Sequence, residues 1–275
     1  MCCTPGFERL NPFNGVYKGG MKVMPAKDEV KLAPERLGLS TKDIIYLIIF
    51  RELSYDNGYL SDMYQVVRTE LSALEKGKGR SYYYQVANEM ERFGWISLQG
   101  MNGKKKIYEL SPSGKEKIEF FRSTYHESIQ ALNQMADFLV YVITGNGSST
   151  SPSLSSDQMK LFNRLINVRY LTRYLILRIL SERTHQSETA IEILQLIKDK
   201  YHWQCAEGYI YELLHEMEDG EHEWVIGQWK DARRRYYFYR ITDQGINALP
   251  HEEAAALVFI RNLKNYTGLM LKLFK

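Results

Sequence analysis

Cysteine is scarce in this sequence: Cys2, Cys3 and Cys205 are its three such residues among 275. They form neither a metal-ligand spacing nor a disulfide framework, so reduced thiols in a cytosolic chain are expected. Cys2 and Cys3 also lack the hydrophobic or polybasic neighbour that would accompany acylation. Long hydrophobic runs are missing too. The most apolar stretch, Ile44–Phe50, is far too short to cross a bilayer, and no secretory core opens the sequence. Charge of one sign is not in excess. A formal net charge of +3 creates no global field, so a polyanionic partner would have to be met by locally clustered charge.

Signals for catalysis are equally thin. His126, His185, His202, His215, His222 and His251 are scattered. His215 and His222 flank Glu218, but Gly220 interrupts that segment and no third zinc ligand is evident. There is no glycine-rich phosphate loop, nucleophile elbow or carboxylate pair, and the glycines between Lys76 and Arg80 belong to a loop. No enzyme, no cofactor and no metal centre are expected.

What the sequence does contain is a repeat. Shifted by 127 residues, DIIYLIIFRELS (43–54) lies over YLTRYLILRILS (170–181), and Asn88–Glu91 falls on His215–Glu218. After four inserted residues, IYELSPSG (107–114) aligns with FYRITDQG (238–245). A shift held over several segments is stronger evidence than any single motif. Residues 1–40, rich in proline and glycine, read as an irregular arm, and GNGSSTSPSLSSD (145–157) reads as a Gly/Ser linker between units at 41–144 and 158–275. Each unit reads as an apolar helix, a helix of mixed face (59–71; 188–200) and a third helix ending near Gly94 or Gly220. A two-stranded hairpin follows. The expected strands are 95–99 and 104–110, with GMNG at the turn, and 224–229 and 233–241, joined by KDA. The expected fold is therefore α+β, mainly α with small β wings: two winged helix-turn-helix units, each followed by a long C-terminal helix. The trailing helices (115–143, 251–274) carry continuous apolar stripes, Ile118 to Ile143 and Leu257, Val258, Ile260 onward to Leu273. Such stripes predict packing of each on its counterpart, in this chain or another.

The third-helix and hairpin-exit segments resemble the PadR family of winged-helix transcription regulators, whose members show G-T-L-Y-P-A-L-K-R-L-E-x-x-G-L-I and, after the wing, Y-R-L-T-x-x-G. Ser81–Ile96 matches the first pattern without a gap, and Gly208–Glu218 matches it before an insertion. Tyr108–Gly114 and Tyr239–Gly245 fit the exit motif. The family's H-G-Y has a partial match in Asn57-Gly58-Tyr59, and the proline after the motif tyrosine is missing from both copies. The resemblance spans about 42–143 and 170–274. Family members mostly carry one winged helix per chain and dimerise through the last helix, so two fused units imply either an internal pseudo-dimer or a larger homodimer.

With that fold, the third helix of the first unit should turn Tyr83, Val86, Ala87 and Met90 inward, as Ile210, Leu213, Leu214 and Met217 turn in the second. Ser81, Gln85, Asn88 and Arg92 then form the opposite face, flanked by Tyr82 and Tyr84, with side chains suited to base edges and phosphates. Lys76, Lys78 and Arg80 place cations at the helix N-terminus, where backbone dipoles also favour phosphate. Lys104, Lys105 and Lys106 occupy the first wing, and Arg233, Arg234 and Arg235 the second. The second unit's third helix carries seven acidic residues and no Lys or Arg across 206–223, which predicts a weaker reader. Trp95, Trp203, Trp224 and Trp229 could line a site for the flat aromatic effectors that some relatives bind, but Trp95 and Trp224 read more plainly as core at the start of wing strands, and no effector is assigned. The expected function is a cytoplasmic, nucleoid-associated transcription regulator binding double-stranded DNA at a promoter operator. A plasmid-type replication initiator with paired winged helices and a protein-interaction scaffold without DNA binding are the alternatives. Self-association through the trailing helices and no membrane partner complete the reading.

Overall fold

The computed structural model of the chain describes residues 39–72, 79–150, 152–183, 186–230, 232–233 and 235–274. The expected arm, apart from Leu39 and Ser40, lies outside these residues, as do Cys2, Cys3, Lys76, Lys78 and Arg234. In the first half α1 (Thr41–Tyr55) is followed by β1 (Gly58–Tyr59), α2 (Leu60–Ser72), α3 (Arg80–Arg92), β2 (Ile96–Asn102), β3 (Lys105–Leu110) and α4 (Pro112–Thr144). The second half has α5 (Ser156–Leu165), α6 (Val168–Glu182), β4 (Glu188–Thr189), α7 (Ala190–Tyr201), α8 (Glu207–Glu218), β5 (Val225–Trp229), β6 (Tyr237–Ile241) and α9 (Asp243–Leu273). Among the described residues the chain is thus mainly helical with two small antiparallel sheets, ordered β1-β3-β2 and β4-β6-β5.

Each half is built round one helix that is buried along most of its length. Ile44 to Phe50 of α1 are all buried, and α1 touches α2, α3, β3, α4 and α9. In α6 Leu171 to Leu177 are all buried, including Thr172 and Arg173, against α7, α8, β6 and α9. Helix starts are locally encoded. Ser40 with Asp43, Ser155 with Gln158 and Thr189 with Glu192 close capping boxes. Ser111, with Pro112 at the first helical position, and Thr242 cap the two long helices, so the exit motifs already form their first turns.

The halves correspond in detail. Ser111 N and Thr242 N donate to the carbonyls of Trp95 and Trp224 at 3.2 and 3.1 Å, and Trp95 N and Trp224 N donate to those of Met90 and Met217 at 2.9 and 2.8 Å. Lys42–Glu89 (3.0 Å) ties α1 to α3 as Arg169–Glu216 (2.5 Å) ties α6 to α8, each pair 127 residues from its counterpart.

Several expected boundaries are corrected. The first hairpin turns at Gly103-Lys104 rather than over 100–103. The register shifts between Leu98 and Gly100, which lets β2 run on to Asn102, and Gly103 takes φ +59° at the first turn position. In the second hairpin the arginine run precedes the strand. The ladder ends at Trp229↔Tyr237, and Lys230 N closes the connection on Tyr236 O at 3.0 Å. The short β1 and β4, unforeseen, pair with β3 and β6 and delay the second helix of each half to Leu60 and Ala190. The Ser155 capping box starts an unforeseen α5 at Ser156, inside the expected linker.

The long helices pack antiparallel within the chain. Arg122 Nε donates to Phe274 O at 2.8 Å, and Asn133 Nδ2 donates to Thr267 Oγ1 and Lys264 O at 2.8 and 3.1 Å. Lys264 pairs with Asp137. The α4 stripe from Phe121 to Leu139 is buried in this contact and the core around it, with Tyr125 half-buried. On α9 one expected stripe member, Val258, is 45% exposed, and Phe259 turns inward instead to stack on Tyr170 at 5.7 Å. Among the described residues no helix is long and apolar enough to cross a membrane.

Candidate nucleic-acid interface

Helix α3 sorts its side chains by burial. Tyr83, Val86, Ala87 and Met90 are at most 1% exposed. Ser81, Gln85, Asn88 and Arg92 are all exposed, and at ~100° per residue they fall within about 60° of one another. Gly79 begins the helix without a side-chain cap, leaving the first N–H groups of the helix able to receive an anion. Arg80 is exposed but held: its guanidinium lies 5.7 Å from the ring of Tyr64 and 5.5 Å from that of Tyr84, and Nη2 reaches the Tyr84 hydroxyl at 3.4 Å. That hydrogen bond, more than any other influence, raises the Arg80 pKa.

The wing is fixed against this helix by Tyr108. Its hydroxyl donates to Glu91 Oε2 at 3.0 Å, and burial, then Glu91, pushes its pKa up to about 12. The result is a groove between α3 and the wing, lined by Tyr59, Ser61, Tyr84, Asn88, Lys104, Lys105, Lys106 and Tyr108. The three lysines are exposed, with Lys105 Nζ 5.1 Å from the ring of Tyr59. Five sequence-predicted residues therefore meet in one concave, cationic strip, and Ser81, Gln85 and Arg92 stand on the neighbouring open face. Tyr82 is half-buried and packs against the core on the shoulder opposite Tyr84. Tyr59 and Tyr64 were not anticipated. Tyr59, which also accepts from Asn102 Nδ2 at 2.8 Å, ends the Asn57-Gly58-Tyr59 tripeptide, the one signal that pointed to it.

In the second half the same positions carry other chemistry. Gly208, Glu212 and His215 are exposed on α8, above buried Ile210, Leu213, Leu214 and Met217, and Asp219, also exposed, caps its C-terminal end in an extended conformation. Arg233 and Arg235 are exposed on the connection between β5 and β6. Glu218 is used internally, accepting from Tyr237 Oη at 2.6 Å and Gly227 N at 2.9 Å. Glu216 pairs with Arg169 and Arg173. The Arg173 guanidinium lies 5.2 Å from the Trp224 ring, and His222 stacks on that ring at 4.5 Å. Behind them Glu252 of α9 is 2% exposed, and burial raises its carboxyl pKa to about 7, with Arg173 and Arg169 opposing. Trp203 is fully buried, its Nε1 donating to Asn163 Oδ1 at 2.8 Å, whereas Trp229 is 46% exposed beside Tyr237. The tryptophans line no common cavity among the described pockets. Burial pushes the Cys205 thiol up to about 11. Among the described residues no three His, Cys, Asp or Glu side chains converge as a metal site.

Residues 176–251, from α6 to the first turns of α9, match the Transcriptional regulator PadR-like family. The match lies in the second half, whereas the ungapped third-helix motif lies in the first. No curated protein and no solved structure matches the chain.

Proposed function

We propose that the chain is a transcription regulator that binds double-stranded DNA, with α3 in the major groove and the first wing on the adjoining phosphates. The groove that gathers Tyr84 and Asn88 with Lys104, Lys105 and Lys106 carries this reading. Asn88, Gln85 and Ser81 supply the donors and acceptors that read base edges, and the lysines supply charge that positions without reading sequence. Arg80, held between two tyrosine rings, and Arg92 bracket the helix with cations. The family match over α6–α9 supports the same function from the other half. Two winged-helix units, 41–144 and about 156–274, make up the reading. The second unit grips through Arg233 and Arg235, and Glu207 and Glu212 of α8 oppose a phosphate backbone, so it reads more weakly. A regulator of this kind works in the cytoplasm on the nucleoid.

The test is a selection of genomic fragments by the purified chain at several salt concentrations. One or a few fragments should be enriched over bulk DNA at physiological salt, and enrichment of none overturns the reading. Gln85→Ala with Asn88→Ala should relax selectivity. Lys104→Ala, Lys105→Ala and Lys106→Ala together should weaken all sequences alike and lower the slope of log affinity against log salt by up to ~2.7, about 0.9 per phosphate contact.

A further inference from the structure

The exit motifs align at a shift of 131 residues, Tyr108 with Tyr239 and Gly114 with Gly245. The same shift carries Asn133 of α4 onto Lys264 of α9, and these two positions touch: Asn133 Nδ2 donates to Lys264 O at 3.1 Å. It also converts the contact of Asp137 with Lys264 into one of Asn133 with Gly268, where a Cβ on Gly268 would lie 3.7 Å from Asn133 Nδ2. A pair of antiparallel helices whose equivalent residues meet each other, and whose neighbouring contacts exchange, is related by an approximate two-fold axis. Here that axis passes by Asn133 and Lys264.

The chemistry at the axis is not symmetric. Asp137 pairs with Lys264 on one side, and the exchanged position has Asn133 beside a glycine. Pairing two α9 helices about the same axis would bring Lys264 against its own copy and leave Asp137 without its lysine. Pairing two α4 helices would leave the Thr267 and Lys264 acceptors of Asn133 behind. The sequence therefore specifies α4 against α9. This contact also covers the apolar stripes that a homodimer would need.

The readers on either side of the axis share a frame and differ in face. Inward positions correspond as Tyr83/Ile210, Val86/Leu213, Ala87/Leu214 and Met90/Met217, all buried. Outward positions correspond as Ser81/Gly208, Gln85/Glu212, Asn88/His215 and Arg92/Asp219, all exposed. A homodimer shows one face twice and selects an inverted repeat. We infer that a single chain occupies a DNA site without dyad symmetry, with base selection concentrated in the half beneath α3 and backbone contact in the half beneath the second wing. This inference rests on the DNA-binding reading above.

The experiment is selection from a random duplex pool by the intact chain, with native mass spectrometry of the complex. The expected result is one chain per duplex and a selected sequence informative on one side only. Gln85→Ala with Asn88→Ala should blur that side alone. Glu212→Ala should leave the selected bases unchanged and tighten binding several-fold, since it removes a carboxylate facing phosphate. An inverted repeat holding two chains, blurred in both halves by the first variant, overturns the inference while leaving DNA binding intact. Selection of no sequence by any form overturns both.

Discussion

Glu252 allows a test in which the sign of the effect is as informative as its size. The carboxyl is 2% exposed, its Oε2 has no hydrogen-bond partner among the described residues, and burial raises its pKa from 4.5 to about 7. The groups around it are Arg173 and Arg169, and the Arg173 guanidinium also contacts Glu216 and His222. Because the folded pKa is above the unfolded one, the folded state prefers the protonated acid. The penalty for ionising it is absent below about pH 4.5, grows as pH rises to about 7 and is complete beyond that. At ~1.4 kcal/mol per pKa unit the full penalty is on the order of 3 kcal/mol. Glu252→Gln keeps the shape and removes the charge. A buried amide without partners costs roughly 1 kcal/mol at every pH. The variant should then be about 1 kcal/mol less stable than the parent near pH ~3.5, about equal to it near pH 5 and about 2 kcal/mol more stable at pH 8. Urea unfolding followed by circular dichroism across that range, with m unchanged, reads the crossover. A stability difference that is flat with pH, or one that favours the parent more at pH 8 than at pH 5, would show the carboxylate held charged by Arg173 and refute the argument.

Tyr83 is 1% exposed and its hydroxyl finds no partner among the described residues, so Tyr83→Phe should keep or raise stability by up to ~1 kcal/mol, whereas Tyr83→Ala should lose ~3–5 kcal/mol in the same unfolding assay. At Gly114 and Gly245 an added Cβ would sit 2.1 Å from the Trp95 and Trp224 carbonyl oxygens, where backbone cannot yield cheaply. Either glycine to alanine should cost at least ~1–3 kcal/mol by thermal unfolding, and the two should cost alike because the sites match.

The parts of this architecture written in local pattern were readable before any coordinates. Apolar spacing placed Tyr83, Val86, Ala87 and Met90 inside, and the four polar residues between them outside, because a helix of fixed pitch converts spacing directly into direction. Strand limits were less legible because partners elsewhere set them. β1 and β4 are two residues long and exist only as pairings with β3 and β6, and the run of β2 through Gly100 depends on a register shift opposite Tyr108 and Ile107. Reading the arginines as strand failed for the same reason, since nothing opposite them continues the ladder. In α9 Pro250 lies inside the helix, and about two and a half turns later the inward position is Phe259 rather than Val258, decided by the Tyr170 ring on α6. The groove itself was half visible. Charge and polarity named Asn88 and the lysines, and Asn57-Gly58-Tyr59 hinted at Tyr59, but the roles of Tyr59 and Tyr64 beside Lys105 and Arg80 are recognisable only once the fold brings them there.

The meeting of α4 and α9 inside one polypeptide has a consequence for how such a chain can change. In an assembly of two identical copies every substitution is made twice, so an altered reading helix alters both ends of its target at once. Here a substitution in α3 occurs once. On the proposed DNA-binding reading one face can therefore be altered while the other is kept, and Gln85 and Glu212 at matching positions already differ in charge.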